Sequence, residues 1–190
     1  MNIGLFFGSF NPVHMGHMVI ARSMVELIPL DRVWFVVSPQ NPFKQRANLA
    51  HEQDRYDLIE AAVYDSYELS VTDIEFSMPK PSYTVDTLAY IDEKYPNHKF
   101  SLILGEDNLK SFHRWKNYQV ILDNYEIYIY PRPGGSDEKW RETSNICFVD
   151  APMIDISATI IRKLIREGKS LKYMVPESVE GLIRDKKLYL

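Results

Sequence analysis

A doubly wound, Rossmann-like α/β sheet is the fold class that this 190-residue sequence predicts, and three observations predict it. Continuous apolar runs of strand length recur along the chain. Stretches with helical periodicity fill the gaps, and loops rich in Gly, Pro, Asn or Ser separate the two. A continuous apolar run suits a parallel strand covered on both faces, whereas a half-exposed strand alternates.

Residues 3–7 give the first strand, and residues 17–28 a helix with Ile20, Met24, Leu27 and Ile28 on one side. The run at 33–37 is a second strand, followed at 38–44 by a loop holding two prolines and an asparagine. A helix over 52–64 carries Leu58, Ile59, Ala62 and Val63, and a strand at 69–72 precedes a loop at 78–82. Thr84 opens the next helix, with Asp86 in the first turn where a negative charge suits the dipole. Asn97 and His98 end it before a strand at 100–104. Residues 109–122 read as mostly helical, 126–130 as a strand, 131–135 as a break and 146–149 as a last short strand. Helices at 157–166 and 176–184 make a helical C-terminal segment. Five strands alternating with helices indicate a parallel sheet with right-handed crossovers, in one domain spanning 1–190. Ligands of such sheets bind outside the carboxyl ends of the strands. The loops at 8–17, 38–44, 105–108 and 131–135 all fall there.

A net charge of -4 gives no footprint for nucleic acid, so an anionic ligand must be met by a local positive patch. Cys147 is the only cysteine, which excludes a disulfide scaffold and a cysteine-based zinc site. Flanked by Ile146 and Phe148, it reads as a buried structural residue. No run approaches the ~18 apolar residues of a membrane span, and the chain opens directly on a strand-like run with no charged leader. The expectation is a cytoplasmic protein with neither a nucleic-acid nor a membrane partner.

Motifs narrow the chemistry. Glu167-Gly168-Lys169-Ser170 looks like the tail of a Walker A loop, but Lys163 stands where its first glycine should be and a helix precedes it. Gly-x-Gly-x-x-Gly, His-Glu-x-x-His and Gly-x-Ser-x-Gly are all missing, which removes the anchors for a dehydrogenase, a zinc protease and a serine hydrolase. What stands out is Gly8-Ser9-Phe10-Asn11-Pro12-Val13-His14-Met15-Gly16-His17, a strand-to-helix loop with two histidines three apart. In a first helical turn that spacing puts both imidazoles on one side, beside free N–H groups that favour an anion. A random His pair is more often a pair of capping residues. The strand and glycine loop ahead of this one favour function.

A second cluster runs from Asp155 through Ser157, Thr159 and Arg162. Asp155 or Ser157 can cap a helix, and Arg162 in its second turn opposes the dipole and calls for a partner. A surface salt bridge is the plain alternative. Lys44, Arg46 and Arg132 are each unremarkable alone. With His14, His17 and Arg162 they would supply the positive field that the global charge lacks. Trp115 and Tyr118, three apart, pack in a core or stack on a planar ring.

The loop from Gly8 to His17 resembles the signature of the nucleotidyltransferase superfamily, and Ile156-Ser157-Ala158-Thr159-Ile160-Ile161-Arg162 resembles its second motif. Three further stretches resemble bacterial nicotinate mononucleotide adenylyltransferases: Pro81 to Leu88; Leu104 to Leu109 with Phe112 and Trp115; and Pro131 to Gly134. The five motifs occur in order over essentially the whole chain. Asn11 stands where Asp is frequent, Phe43 where His is common before Lys44, and Ala158 where Ser is frequent.

The resemblance implies transfer of AMP from ATP to nicotinate mononucleotide, giving nicotinic acid adenine dinucleotide and pyrophosphate, with Mg²⁺ accompanying ATP. It implies His14, His17, Lys44 and Arg162 as catalytic groups. Gly8, Ser9, Phe10, Gly105, Asp107, Arg132, Ser157 and Thr159 join His14, His17 and Arg162 around ATP. Asn11, Lys44, Arg46, Thr84, Trp115 and Tyr118 serve the mononucleotide. Metal ligands are not specified, and a homo-oligomer is compatible with the sequence without being required by it. The alternatives are a catalytically silent nucleotide-binding or sensor protein, and a sibling transferase acting on phosphopantetheine or another phosphate acceptor. The residues from Ser82 to Leu88 and Trp115 speak against the sibling.

Overall fold

The computed structural model describes residues 1–39, 49–133 and 138–190. In chain order the elements are β1 (Asn2–Gly8), α1 (Met15–Leu27), β2 (Arg32–Val37), α2 (Glu52–Val63), β3 (Leu69–Thr72) and α3 (Thr84–Lys94). There follow β4 (Lys99–Gly105), α4 (Leu109–Phe112), α5 (Tyr118–Asn124), β5 (Glu126–Tyr130), β6 (Ile146–Phe148), α6 (Ala158–Arg166) and α7 (Glu177–Asp185). Short 3-10 turns occupy Ile74–Ser77, Glu106–Asn108 and Glu138–Trp140.

Among the described residues six strands pair in the order β3-β2-β1-β4-β5-β6, every pair parallel. The last short strand expected at 146–149 is the sixth strand, β6, at the sheet edge. The strand order reverses between β1 and β4, and the carboxyl ends of these two open the crevice where such sheets bind ligands.

Side-chain alternation builds the layers. Ile3, Leu5, Leu102, Leu104, Ile127 and Ile129 point to one face, onto Leu88 of α3, Phe112 of α4 and Ile121 of α5. Phe6, Ile103, Tyr128 and Tyr130 point to the other, onto Ile20 and Met24 of α1, Leu58 of α2, Ile161 of α6 and Val179 of α7. Helices therefore cover both faces, which is why the strands read as unbroken apolar runs.

Two elements differ from the sequence reading. The stretch 109–122 is not one helix, because Asn117 adopts a left-handed φ of 49° and separates α4 from α5. Trp115 lies on the turn between them. Cys147 is exposed rather than buried. On a sheet-edge strand of three residues its neighbours Ile146 and Phe148 point inward by alternation and Cys147 points out. No helix among the described residues is long and apolar enough to cross a membrane.

Candidate active site

One wall of the site is the β1–α1 turn. Phe10 takes a left-handed φ of 42°, which folds its ring back beneath the strand end. A Cβ on Gly8 would lie 2.8 Å from Phe10 Cζ, so only glycine admits that turn. The Phe10 ring then packs edge-on to Phe6, Phe35 and His17 at centroid distances of 5.6, 5.3 and 5.0 Å. His14 caps α1 and His17 stands at its third position. The two imidazoles stack at 3.7 Å with planes 24° apart.

This pair has a defined protonation pattern. The His14 backbone N–H donates to His17 Nδ1 at 3.3 Å, so a neutral His17 carries its proton on Nε2. His14 is 4% exposed, and its Nδ1 is buried without a hydrogen-bond partner among the described residues. Burial first, then the Arg132 guanidinium, push the His14 imidazole down to about 4. At neutral pH His14 is uncharged. An anion placed beside it would supply the partner that it lacks.

Two cavities meet over the sheet crevice. The larger, about 130 Å³, opens between Gly8 at the end of β1, Gly105 at the end of β4, Thr84 at the start of α3 and Trp115. Its floor includes Phe7 and Glu75, and Arg114 and Lys116 bring positive charge to it. The smaller, about 10 Å³, is a cleft between His14, His17, Arg132 and Ile154. Phe6 and Tyr130 line both and form the shared wall. One compartment is sized for a planar ring, and the other gathers imidazoles and a guanidinium.

Helix α6 packs behind the β1–α1 turn. Ser157 caps it, accepting from the Ile160 N–H at 3.4 Å. Arg162 Nη2 donates to Thr159 Oγ1 at 3.3 Å, and Nη1 reaches back across the chain to the Asn11 carbonyl at 2.7 Å. The arginine that opposed its own dipole thus finds its partner on the β1–α1 turn rather than in a surface salt bridge. Charge placement agrees. The helices α2, α3 and α7 carry Asp or Glu in the first turn, whereas α1, α4, α5 and α6 carry none. The positive ends of α1 and α6 are thus left without an acidic residue, which suits an anion.

The predicted residues separate into groups. Gly8, Thr84, Gly105 and Trp115 line the larger cavity; His14, His17 and Arg132 line the cleft. Ser157, Thr159 and Asp107 face solvent, Asp107 lying 3.9 Å from Arg132 Nε. Arg162 lines neither compartment but a third groove behind the turn. Asn11 is 7% exposed, with Oδ1 accepting from the Ala50 N–H at 3.0 Å. Phe10 contributes to the turn through its backbone, since its ring belongs to the core. Tyr118 packs on Phe112 at 5.8 Å and does not line the cavity, so of the aromatic pair Trp115 alone faces it. Lys44 and Arg46 lie outside the described residues.

Two residues of this region are not evident in the sequence. Arg55 is 1% exposed, and its four hydrogen bonds among the described residues go to backbone carbonyls. They are those of Ser9 (2.6 Å), Ser38 (2.9 Å), Ala50 (3.0 Å) and Pro39 (3.3 Å). Burial lowers its pKa. Glu75, 2% exposed, lies on the cavity floor. Each stands in an amphipathic stretch where a charge reads as solvated, and no spacing marks either.

Comparison with known proteins agrees with this geometry. Residues 5–164 match the family model described as cytidylyltransferase-like. A Cytophaga hutchinsonii protein named "Probable nicotinate-nucleotide adenylyltransferase" is 54% identical over 189 residues, covering 100% of this chain and 98% of its own. A Flavobacterium johnsoniae protein of the same name is 47% identical over 191 residues, covering 100% and 99%. In fold, the chain superposes on the Plasmodium falciparum nicotinic acid mononucleotide adenylyltransferase complexed with NaAD, with a TM-score of 0.83 at 19% identity over 99% of this chain and 97% of that one. With full-length identities of this size behind it, the chain belongs to the nicotinate-nucleotide adenylyltransferases, within the cytidylyltransferase-like family.

Proposed function

We propose that the two joined cavities carry out adenylyl transfer from ATP to nicotinate mononucleotide, releasing pyrophosphate and nicotinic acid adenine dinucleotide. The observation that carries this reading is their junction at Phe6 and Tyr130, which sets a ring-sized pocket beside a cleft of imidazoles and a guanidinium. The triphosphate belongs over the mouth of the small cleft, against His14, His17 and Arg132 at the N-terminus of α1, and extends toward the exposed Ser157 and Thr159 of α6, while Arg162 supports the β1–α1 turn from behind through the Asn11 carbonyl. Gly8, Ser9, Gly105 and Asp107 border the nucleoside. The pyridine ring belongs against Trp115 and Thr84, with Arg114 on the same lining and Lys116 paired to Asp86.

The reaction needs no general base. The attacking oxygen is on the mononucleotide 5′-phosphate, an anion at neutral pH because its second pKa is near 6. That oxygen forms a bond to the α-phosphorus as the bond to the β-bridging oxygen breaks, and pyrophosphate leaves with the electron pair. Catalysis then consists of alignment and of donors aimed at the transferring group. His17 Nε2–H is such a donor. Neutral His14 gains a proton or a hydrogen bond only as the phosphate arrives.

No group of three or more His, Cys, Asp or Glu among the described residues could hold a metal ion. We infer that Mg²⁺ enters with ATP, where it would offset the triphosphate charge.

Steady-state kcat/KM for nicotinate and nicotinamide mononucleotides, with ATP and Mg²⁺, tests the substrate. Preference for the acid is expected, and a clear preference for the amide overturns the reading. In the same assay His17→Ala lowers kcat by roughly 10²-fold, the scale for losing a transition-state donor. Near-normal turnover in a folded variant removes His17 from the mechanism.

A further inference from the structure

Glu75 sits on the 3-10 turn Ile74–Ser77 after β3, on the floor of the larger cavity. Its two carboxylate oxygens are both engaged. Thr87 Oγ1 donates to Oε1 at 2.7 Å and Ser82 Oγ to Oε2 at 2.8 Å. Thr87 is fully buried and Ser82 is 8% exposed. No Lys, Arg or His forms an ion pair with Glu75 among the described residues. Burial raises its pKa, and these hydroxyls oppose that shift.

A carboxylate without a countercharge is an expensive way to fill a core. What it does here is local. Ser82 and Thr87 flank the start of α3 on either side of Thr84. Carboxylate oxygens only accept, so one group collects two hydroxyl donors, one on each side of the start of α3, and fixes their orientation. The first N–H groups of α3 have no intrahelical partner, and Tyr83 and Thr84 both line the cavity. We infer that Glu75 is a positioning residue: through Ser82 and Thr87 it holds the N-terminal turn of α3 against the cavity, and so fixes how the mononucleotide ring is seated.

This rests on the proposed function for the identity of the ligand, but not for the positioning itself. Two measurements on the full chain test it. In steady-state assays Glu75→Gln, whose amide nitrogen cannot accept as the second carboxylate oxygen does, raises KM for nicotinate mononucleotide by roughly fivefold or more while KM for ATP stays within about twofold. Thr87→Val keeps the side-chain shape, loses the hydroxyl and has the same split, and Thr87→Ser restores values near the parent's. The Thr87 pair decides the matter if Glu75→Gln does not fold. Hydrogen exchange, which needs no substrate, shows faster exchange confined to amides 82–87 in Glu75→Gln or Thr87→Val.

Equal rises in both KM values, an unchanged KM for the mononucleotide, or Thr87→Ser as impaired as Thr87→Val overturns the inference. So does faster exchange spread over the whole chain. A parent protein that does not adenylylate nicotinate mononucleotide overturns the proposed function instead, and the exchange result then decides the role of Glu75 alone.

Discussion

The stacked imidazoles concentrate the site's chemistry into one residue, His14. Its ordinary value of 6.5 falls to about 4 through burial and the neighbouring Arg132. Between these values the unfolded chain binds a proton that the folded chain excludes. The stability this provides is complete above pH 6.5 and is lost as the pH falls toward 4. The gap amounts to about 3 kcal/mol at most. Urea denaturation at pH 7.5 and 4.5 should therefore show a larger loss for the parent than for His14→Gln, which has nothing to titrate there. Parallel losses would mean that His14 is already protonated in the folded protein.

Helices α1 and α6 make the corresponding argument for whole elements. Neither carries an acidic residue in its first turn, and the triphosphate position proposed above lies beside both. Ser157→Asp keeps a capping acceptor and adds the missing charge, so thermal stability should hold or rise by about 0.3–1 kcal/mol. The same charge repels a triphosphate, and KM for ATP should rise roughly tenfold at low salt and less at high salt. A variant that binds ATP as before would remove the α6 terminus from the nucleotide site. This pairing of helices was legible in the sequence, because a histidine-bearing loop opens one, a cap residue opens the other, and both stretches resemble nucleotidyltransferase motifs. The strands were legible too, since burial on both faces leaves unbroken apolar runs. The split of α4 from α5 was not. It depends on one left-handed Asn117, and nothing in the local pattern of 109–122 distinguishes it from a continuing helix. Glu75 and Arg55 were hidden for a related reason: their partners are hydroxyls and carbonyls from distant segments.

At the scale of the whole molecule, Arg55 ties the sheet crevice together. Its guanidinium joins the carbonyl of Ser9, after β1, to those of Ser38 and Pro39, after β2, and to Ala50 at the start of α2. Neutralising charge comes from carbonyl dipoles, so removing the guanidinium leaves several buried acceptors unpaired at about 1–3 kcal/mol each. Arg55→Met should lower stability by about 3 kcal/mol or more in urea denaturation, and Arg55→Lys should recover only part of it, because an ammonium cannot span the same fork. Ligand should then offset part of the loss by mass action. Equal stability of the parent and Arg55→Met would show that the loops hold their arrangement unaided.

The exposed thiol on the edge strand gives the molecule a single chemical handle. Cys147 is the chain's one cysteine, stands clear of all three grooves and points outward from β6. A maleimide fluorophore would attach at that one position with no engineering of the sequence. Fluorescence anisotropy of that label would report tumbling, and so self-association, of an otherwise unaltered protein.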